Sequence, residues 1–272
     1  MAPETVVKLV VVLIGGSVAL ECGLLSGLWS LPLGVYHAIH LLLMGTVLAA
    51  ALALYRSRRS RGAADSVVSL WFVAGLAFTV VGDYVNSALS SIAPIAHKLN
   101  WAMLFFALGY SCYLAGMWKG LALLSGGRTV VSRPLWLLLP VILVANVFTW
   151  VTRVHILVAA YPILNYGSFV FNATLYVLLP WLGIRYLIAR RFGIDAVVVM
   201  VGVVFIIYSD LVLFDSWLKL AEGAEIPMPL YASNWILYFG GQCLINVFPA
   251  VLAMALTGTS TGRAETYSAA TL

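Results

Sequence analysis

The sequence predicts an all-α integral membrane protein of eight transmembrane helices. Three observations lead there. Of the 272 residues, 63% are hydrophobic and only 9% are charged, whereas a soluble domain carries about 25% charged residues. Eight apolar runs approach or exceed the roughly 20 residues that cross a bilayer. The basic residues gather in short loops, which is the pattern of membrane topology rather than of a nucleic-acid surface. One membrane domain over residues 1–257 is expected, followed by a disordered Ser/Thr/Ala-rich cytoplasmic tail over 258–272.

The first span is expected at 6–28. Its flank holds Glu4 and Lys8, and "LECG" ends its apolar run with Glu21 before Cys22, so an uncleaved helix is expected. The other spans are expected at 33–55, 67–89, 95–117, 134–152, 164–188, 194–218 and 229–256, with Pro32, Pro134, Pro162 and Pro229 marking starts. "RSRRSRGAAD" and "SGGRTVVSR" are loops. With the N-terminus in the cytoplasm, twelve of the fifteen Lys and Arg residues fall on the cytoplasmic side. Lys98, Arg153 and Lys219 fall outside, and "AEGAEIP" becomes an acidic outer loop. That bias supports an even number of spans with both termini cytoplasmic. A bacterial cell membrane is the expected location, or the endoplasmic reticulum in a eukaryote.

The two halves carry short matches in the same order. "PLGVY" (Pro32 to Tyr36) resembles "PILNY" (Pro162 to Tyr166), "VVGDYV" around Asp83 resembles "IYSDLV" around Asp210, and Asn100–Trp101 resembles Asn234–Trp235. Two four-helix repeats would be related by an axis along the membrane normal, with Asp83 and Asp210 at one depth.

A charge at the bilayer centre costs at least about 2.5–3.5 kcal/mol on insertion scales, so an ionisable residue there is read first as functional. Helical spacing puts Thr79, Asp83, Asn86, Ser87 and Ser90 on one side of the third span. Tyr231, Asn234, Tyr238, Gln242 and Asn246 line the eighth, and Asn165, Ser168, Asn172 and Tyr176 the sixth. With Glu21, His37 and His40, these groups are expected to converge on a cavity open toward the outer side. Each has a plainer reading: Asn, Ser and Tyr stripes join helices at about 0.6 kcal/mol per bond, His37 and His40 suit an interface, and a buried Asp can be purely structural. Asp215 lies about 140° around the helix from Asp210, nearer the interface, and is expected to have a structural or hydration role. Cys22, Cys112 and Cys243 sit in separate apolar runs without metal or disulfide spacing.

"GLAFTVVGDYVNSAL", "LFFALGYSCYLAG", "VVFIIYSDLVLFDSW" and "LYFGGQCLINV" resemble the YhhN family of eight-span proteins, whose characterised members are lysoplasmalogenases. The resemblance rests on Gly82–Asp83, Ser209–Asp210 and Tyr238–Gln242. The family's Gly-His of the fourth span stands here as Gly109–Tyr110, and the basic residue after the Ser-Asp segment is replaced in the Phe214–Asp215 region. The implied activity is hydrolysis of the vinyl ether bond of a lysophospholipid-like substrate, giving a fatty aldehyde and a glycerophospho head group.

That bond breaks by protonation of carbon, giving an oxocarbenium ion that water captures. The site needs a proton donor, a negative group and a positioned water, as two unlike carboxyls supply in glycosidases. Asp83 and Asp210 are the expected catalytic pair, with Asp210 the acid and Asp83 the ionised partner. Tyr238, Gln242, Asn86, Asn172, Asn234, Glu21 and Ser209 are the expected supporting or substrate-binding residues. No metal, cofactor or nucleic acid is called for; the partners are the substrate and membrane lipid. Two rival readings are a proton-coupled transporter or binder of a small amphiphile, and a zinc hydrolase using His37, His40 and Asp83. A retinal photoreceptor is disfavoured, because no Lys sits in the middle of a span.

Overall fold

Prolines open several of the helices, as residues that lack an N–H and arrive with a helical φ should. Pro3 starts α1 (Pro3–Leu25), Pro32 precedes α2 (Leu33–Ser60), and Pro227 and Pro229 flank the start of α9 (Met228–Ile245). The computed structural model describes residues 1–92, 95–126, 133–154, 162–221 and 227–269, and among them every regular element is helical. The other helices are α3 (Ser66–Asn86), α4 (Ile95–Leu124), α5 (Arg133–Thr149), α6 (Pro162–Asn172), α7 (Leu179–Ala189), α8 (Ile194–Ala221) and α10 (Phe248–Ala269). A π-helical turn, Ala173–Leu178, joins α6 to α7 just ahead of Pro180, where the missing N–H disturbs the bonding ladder. The acidic loop expected at 221–227 lies largely outside the described residues, as does His155. Helix α10 continues past Gly258, where the sequence suggests a tail.

Among the described residues, seven helical stretches are long and apolar enough to cross a membrane, so the chain is a multi-pass membrane protein in form. The remaining expected span falls on α5, which holds Pro140.

The helices close into a bundle. α1 packs on α2, α2 on α3, α3 on α4, α4 on α6 and α7, α7 on α8, α8 on α9, and α9 returns to α1. α5 packs against the π-helical turn. The last span, formed by α9 and α10 together, runs through the interior: 83% of its most apolar window is buried, against 28% for α1 and for α2. It bends at Asn246–Val247, where Pro249 cannot continue the ladder, and Val247 O instead receives Ala250 N–H and Val251 N–H. Phe248 then stacks on Phe72 and meets Tyr186 edge-on.

Two helix pairs approach at glycine. A β-carbon at Gly109 would sit 2.6 Å from Thr79 Cγ2 and 2.9 Å from the Gly75 carbonyl oxygen, so α3 and α4 nearly touch backbone to backbone. A β-carbon at Gly241 would sit 2.8 Å from Ile206 N and 3.0 Å from Gly202 O, which joins α8 and α9 in the same way. Small residues at such crossings let van der Waals packing bind helices where lipid offers no hydrophobic drive. At one end of the bundle Val6, Leu54 and Ala250 cluster, bringing together the beginning of α1, the end of α2 and the start of α10. The polar groups discussed next lie toward the other end of these helices.

Candidate functional site

A cavity of about 100 Å³ opens between α2, α3, α8 and α9. Tyr36, His37 and His40 of α2 line it, with Asp83 and Asn86 of α3, Ser216 of α8, and Tyr231, Asn234, Trp235 and Tyr238 of α9. Of these, Asp83, Asn86, Tyr231, Asn234 and Tyr238 are groups that helical spacing placed on inward faces, and His37 and His40 were expected beside them. Among the described residues no Lys or Arg lines the cavity.

Asp83 reaches the wall with its Oδ2 accepting a hydrogen bond from the Tyr238 hydroxyl at 3.0 Å. Asp210 does not line the cavity; it is 1% exposed, and its Oδ2 accepts from the Tyr110 hydroxyl at 2.7 Å. The two carboxyls lie within electrostatic range of each other, and both act on Tyr238. One carboxyl thus stands at the cavity and the other is buried behind its wall.

The two bonds are reciprocal. Asp83 of the first half is held by Tyr238 of the second, and Asp210 of the second half by Tyr110 of the first. Tyr110 and Tyr238 stand 27 and 28 residues after Asp83 and Asp210, while Gly75 and Gly202 each precede their Asp by eight. The other two sequence matches fall out of this register. Trp101 is 48% exposed where Trp235 is 8% exposed, and Tyr36 is buried where Tyr166 faces outward. The repeat relation is thus local to the α3–α4 and α8–α9 pairs.

Below the cavity the polar network continues. Tyr113 donates to Gln242 Oε1 at 2.8 Å and receives Asn246 Nδ2 at 3.0 Å. Asp210 Oδ1, Gln242 Nε2 and Asn246 Oδ1 are sealed from solvent and have no hydrogen-bond partner among the described residues. Orphaned groups of this kind cost about 1–3 kcal/mol each. Ser209 donates to Asn234 Oδ1 at 3.0 Å, linking α8 to the cavity wall.

A second carboxyl cluster flanks the cavity. Glu21 is 0% exposed; its Oε2 accepts from the Tyr36 hydroxyl at 3.1 Å, and its Oε1 lies 2.8 Å from His40 Nε2. His40 stacks flat on Trp235, with ring centres 3.6 Å apart. His37 is tied elsewhere, its Nδ1 accepting the Ala88 N–H at 3.0 Å.

Not every expected residue converges. The sixth-span stripe does not reach the cavity: Trp150 Nε1 donates to the Asn165 carbonyl and to Ser168 Oγ, so those residues serve helix packing. Asn172 is buried where α6 passes into the π-helical turn, away from the cavity. Gln242 sits deeper, with Tyr113. Asp215 is exposed, as its angle from Asp210 requires. Among the described residues no three of His, Cys, Asp and Glu gather at metal-binding distance, so His37, His40 and Asp83 do not form the trio a zinc site would need. Sequence reasoning missed Tyr110, Tyr36 and Tyr113; the one signal for them was Tyr110 standing where the resembled pattern has His.

Compared with family models, with curated proteins and with solved structures, the chain matches none of them.

Proposed function

We propose that the chain is an intramembrane lipid hydrolase that cleaves the vinyl ether bond of a lysoplasmalogen, releasing a fatty aldehyde and a glycerophospho head group. One observation carries the reading: Asp83, held by Tyr238, faces a cavity between helices of an apolar bundle, with Asp210 buried behind it. The substrate class comes from the motif resemblance around Gly82–Asp83, Ser209–Asp210 and Tyr238–Gln242.

In this mechanism Asp83 delivers the proton to the vinyl carbon, because it is the member of the pair that reaches the cavity. Roles are thereby exchanged relative to the sequence expectation. Asp210 biases the charge of the pair from behind, its position fixed by Tyr110. The cavity admits the reacting bond and a water, while the acyl chain lies in lipid and the head group stays at the interface. The protein is multi-pass, with eight spans and both termini cytoplasmic, in a bacterial cell membrane or, in a eukaryote, the endoplasmic reticulum.

The test is a panel of vinyl ether, ester and amide lysolipids incubated with the purified protein and with Asp83→Asn, products being read by mass spectrometry. Aldehyde from the vinyl ether alone, lost in the variant, is the expected result. Cleavage of none of the panel sinks the reading.

A second reading is favoured by one observation. The orphaned atoms on Asp210, Gln242 and Asn246 continue the polar track past the cavity, as a proton path through a transporter of small amphiphiles would need. Substrate-dependent proton flux in liposomes without product formation would select it.

A further inference from the structure

Hydrolysis of a vinyl ether needs a group that gives a proton to carbon and a group that takes one from water. Asp83 supplies the first. Asp210 cannot supply the second, because it does not line the cavity. A different carboxyl does reach the cavity, through an imidazole.

Glu21 is fully buried in α1, and both its oxygens are engaged, one by Tyr36 and one by His40. With Nε2 turned to Glu21, His40 keeps Nδ1 as its second nitrogen; that atom has no partner among the described residues, and the ring lines the cavity. The ring is clamped. Trp235 lies parallel to it within 1°, and the edge of Tyr36 approaches with ring centres 3.9 Å apart. Trp235 is itself pinned by its Nε1 donating to Ser17 Oγ at 3.0 Å. A carboxylate that orients an imidazole also fixes its tautomer and stabilises the imidazolium when it forms. A carboxyl within a span is costly, and gluing α1 to α2 would require only neutral groups.

We infer that Glu21 and His40 form the water-activating half of the site, with His40 as a catalytic residue and Glu21 as its positioning residue. This rests on the hydrolase reading above. The steps balance. Asp83 gives its proton to the vinyl carbon and becomes a carboxylate facing the oxocarbenium ion. Water adds to the cationic carbon, its proton passes to His40 Nδ1, and the C=O⁺ electron pair returns to oxygen as a hemiacetal. The hemiacetal hydroxyl then yields its proton to Asp83 while His40 protonates the departing glycerol oxygen. Aldehyde and alcohol leave, and both groups are restored.

The experiment uses the full chain in lipid nanodiscs with a 1-alkenyl lysoglycerophosphocholine as probe, aldehyde release giving kcat and KM. His40→Gln is expected to lower kcat by about 100-fold, in the range of acid–base catalysis, with KM changed less than about threefold. Glu21→Gln is expected to lower kcat by about tenfold. In His40→Gly, added imidazole is expected to restore at least about tenfold of the lost rate, a response that a packing residue would not give. If one of the His40 variants fails to elute as folded protein, the other decides. Unchanged kcat in a folded His40→Gln, or no imidazole response in a folded His40→Gly, overturns this inference while leaving the hydrolase reading intact. No aldehyde from the unmodified protein overturns both.

Discussion

Tyr110 of α4 donates a 2.7 Å hydrogen bond to Asp210 of α8, across two segments that stand far apart in the chain. Tyr238 of α9 does the same for Asp83 of α3 at 3.0 Å. Each half of the chain therefore supplies the hydroxyl that the other half's carboxyl needs. Two short bonds in an apolar interior fix the register of four helices at once.

These bonds set an energetic expectation. Tyr110→Phe leaves both Asp210 oxygens without partners, since Oδ1 has none already. It should cost about 2 kcal/mol, the scale of a hydrogen bond to an acidic group. A double-mutant cycle with Asp210→Leu should return a coupling of about 1–2 kcal/mol, measured by denaturant unfolding in mixed micelles. A coupling near zero would mean the bond is not formed.

Activity should separate the two acids. Asp83→Asn is expected to lower kcat by about 100-fold or more, because it removes the proton donor. Asp210→Asn is expected to lose only about tenfold, because the group stands behind the cavity. Equal losses in the two folded variants would contradict the placement of Asp83 as donor.

The glycine crossings give a stability test. Gly109→Ala would drive a methyl into Thr79 and the Gly75 carbonyl, and Gly241→Ala into the backbone of α8 at Ile206 and Gly202. Each should cost about 1–3 kcal/mol, seen as a lower midpoint of thermal unfolding. Gly45→Ala meets nothing within 4 Å and should be neutral or gain up to about 1 kcal/mol from helix propensity. If Gly109→Ala and Gly45→Ala unfold alike, α3 and α4 are not in close contact.

At the end of the bundle remote from the cavity, Arg58 grips Asp65 with two bonds, Nε to Oδ2 at 2.9 Å and a second from Nη2 to Oδ1 at 2.6 Å. Both side chains are largely buried. Arg58→Ala strands a buried carboxylate and should cost about 3 kcal/mol. Arg58→Lys keeps the charge but loses the fork and should fall between. Unfolding midpoints of the two variants give the comparison.

Sidedness is accessible to labelling. In a cysteine-free background, Arg59→Cys and Leu89→Cys lie at opposite ends of the bundle, and both native side chains are exposed. An impermeant maleimide added to intact cells should label Leu89→Cys and spare Arg59→Cys if the basic loop is cytoplasmic. The reverse pattern would invert the topology.

Much of this was legible because lipid leaves few choices. Apolar runs and basic loops marked the helices, and the inward placement of Asp83, Asn234 and Tyr238 followed from helical period. What spacing could not reveal is which stripe meets which. The α6 stripe looked equivalent to the α9 stripe, yet it faces Trp150. Asp210 and Asp83 looked interchangeable, yet only one reaches the cavity. Tyr110 carries no helical-period signal of its own among aromatic neighbours, so its bond to Asp210 could be found only in three dimensions.

The central course of α9 and α10 has a consequence for how the protein is made. The ribosome delivers every surrounding helix before the rod that fills the space between them. Until that rod arrives, Asp83 has no Tyr238 and Tyr113 has no Gln242, so the earlier helices must wait in the bilayer with their polar faces unmatched. Quality-control proteases should therefore recognise chains halted before Met228 far more readily than complete ones.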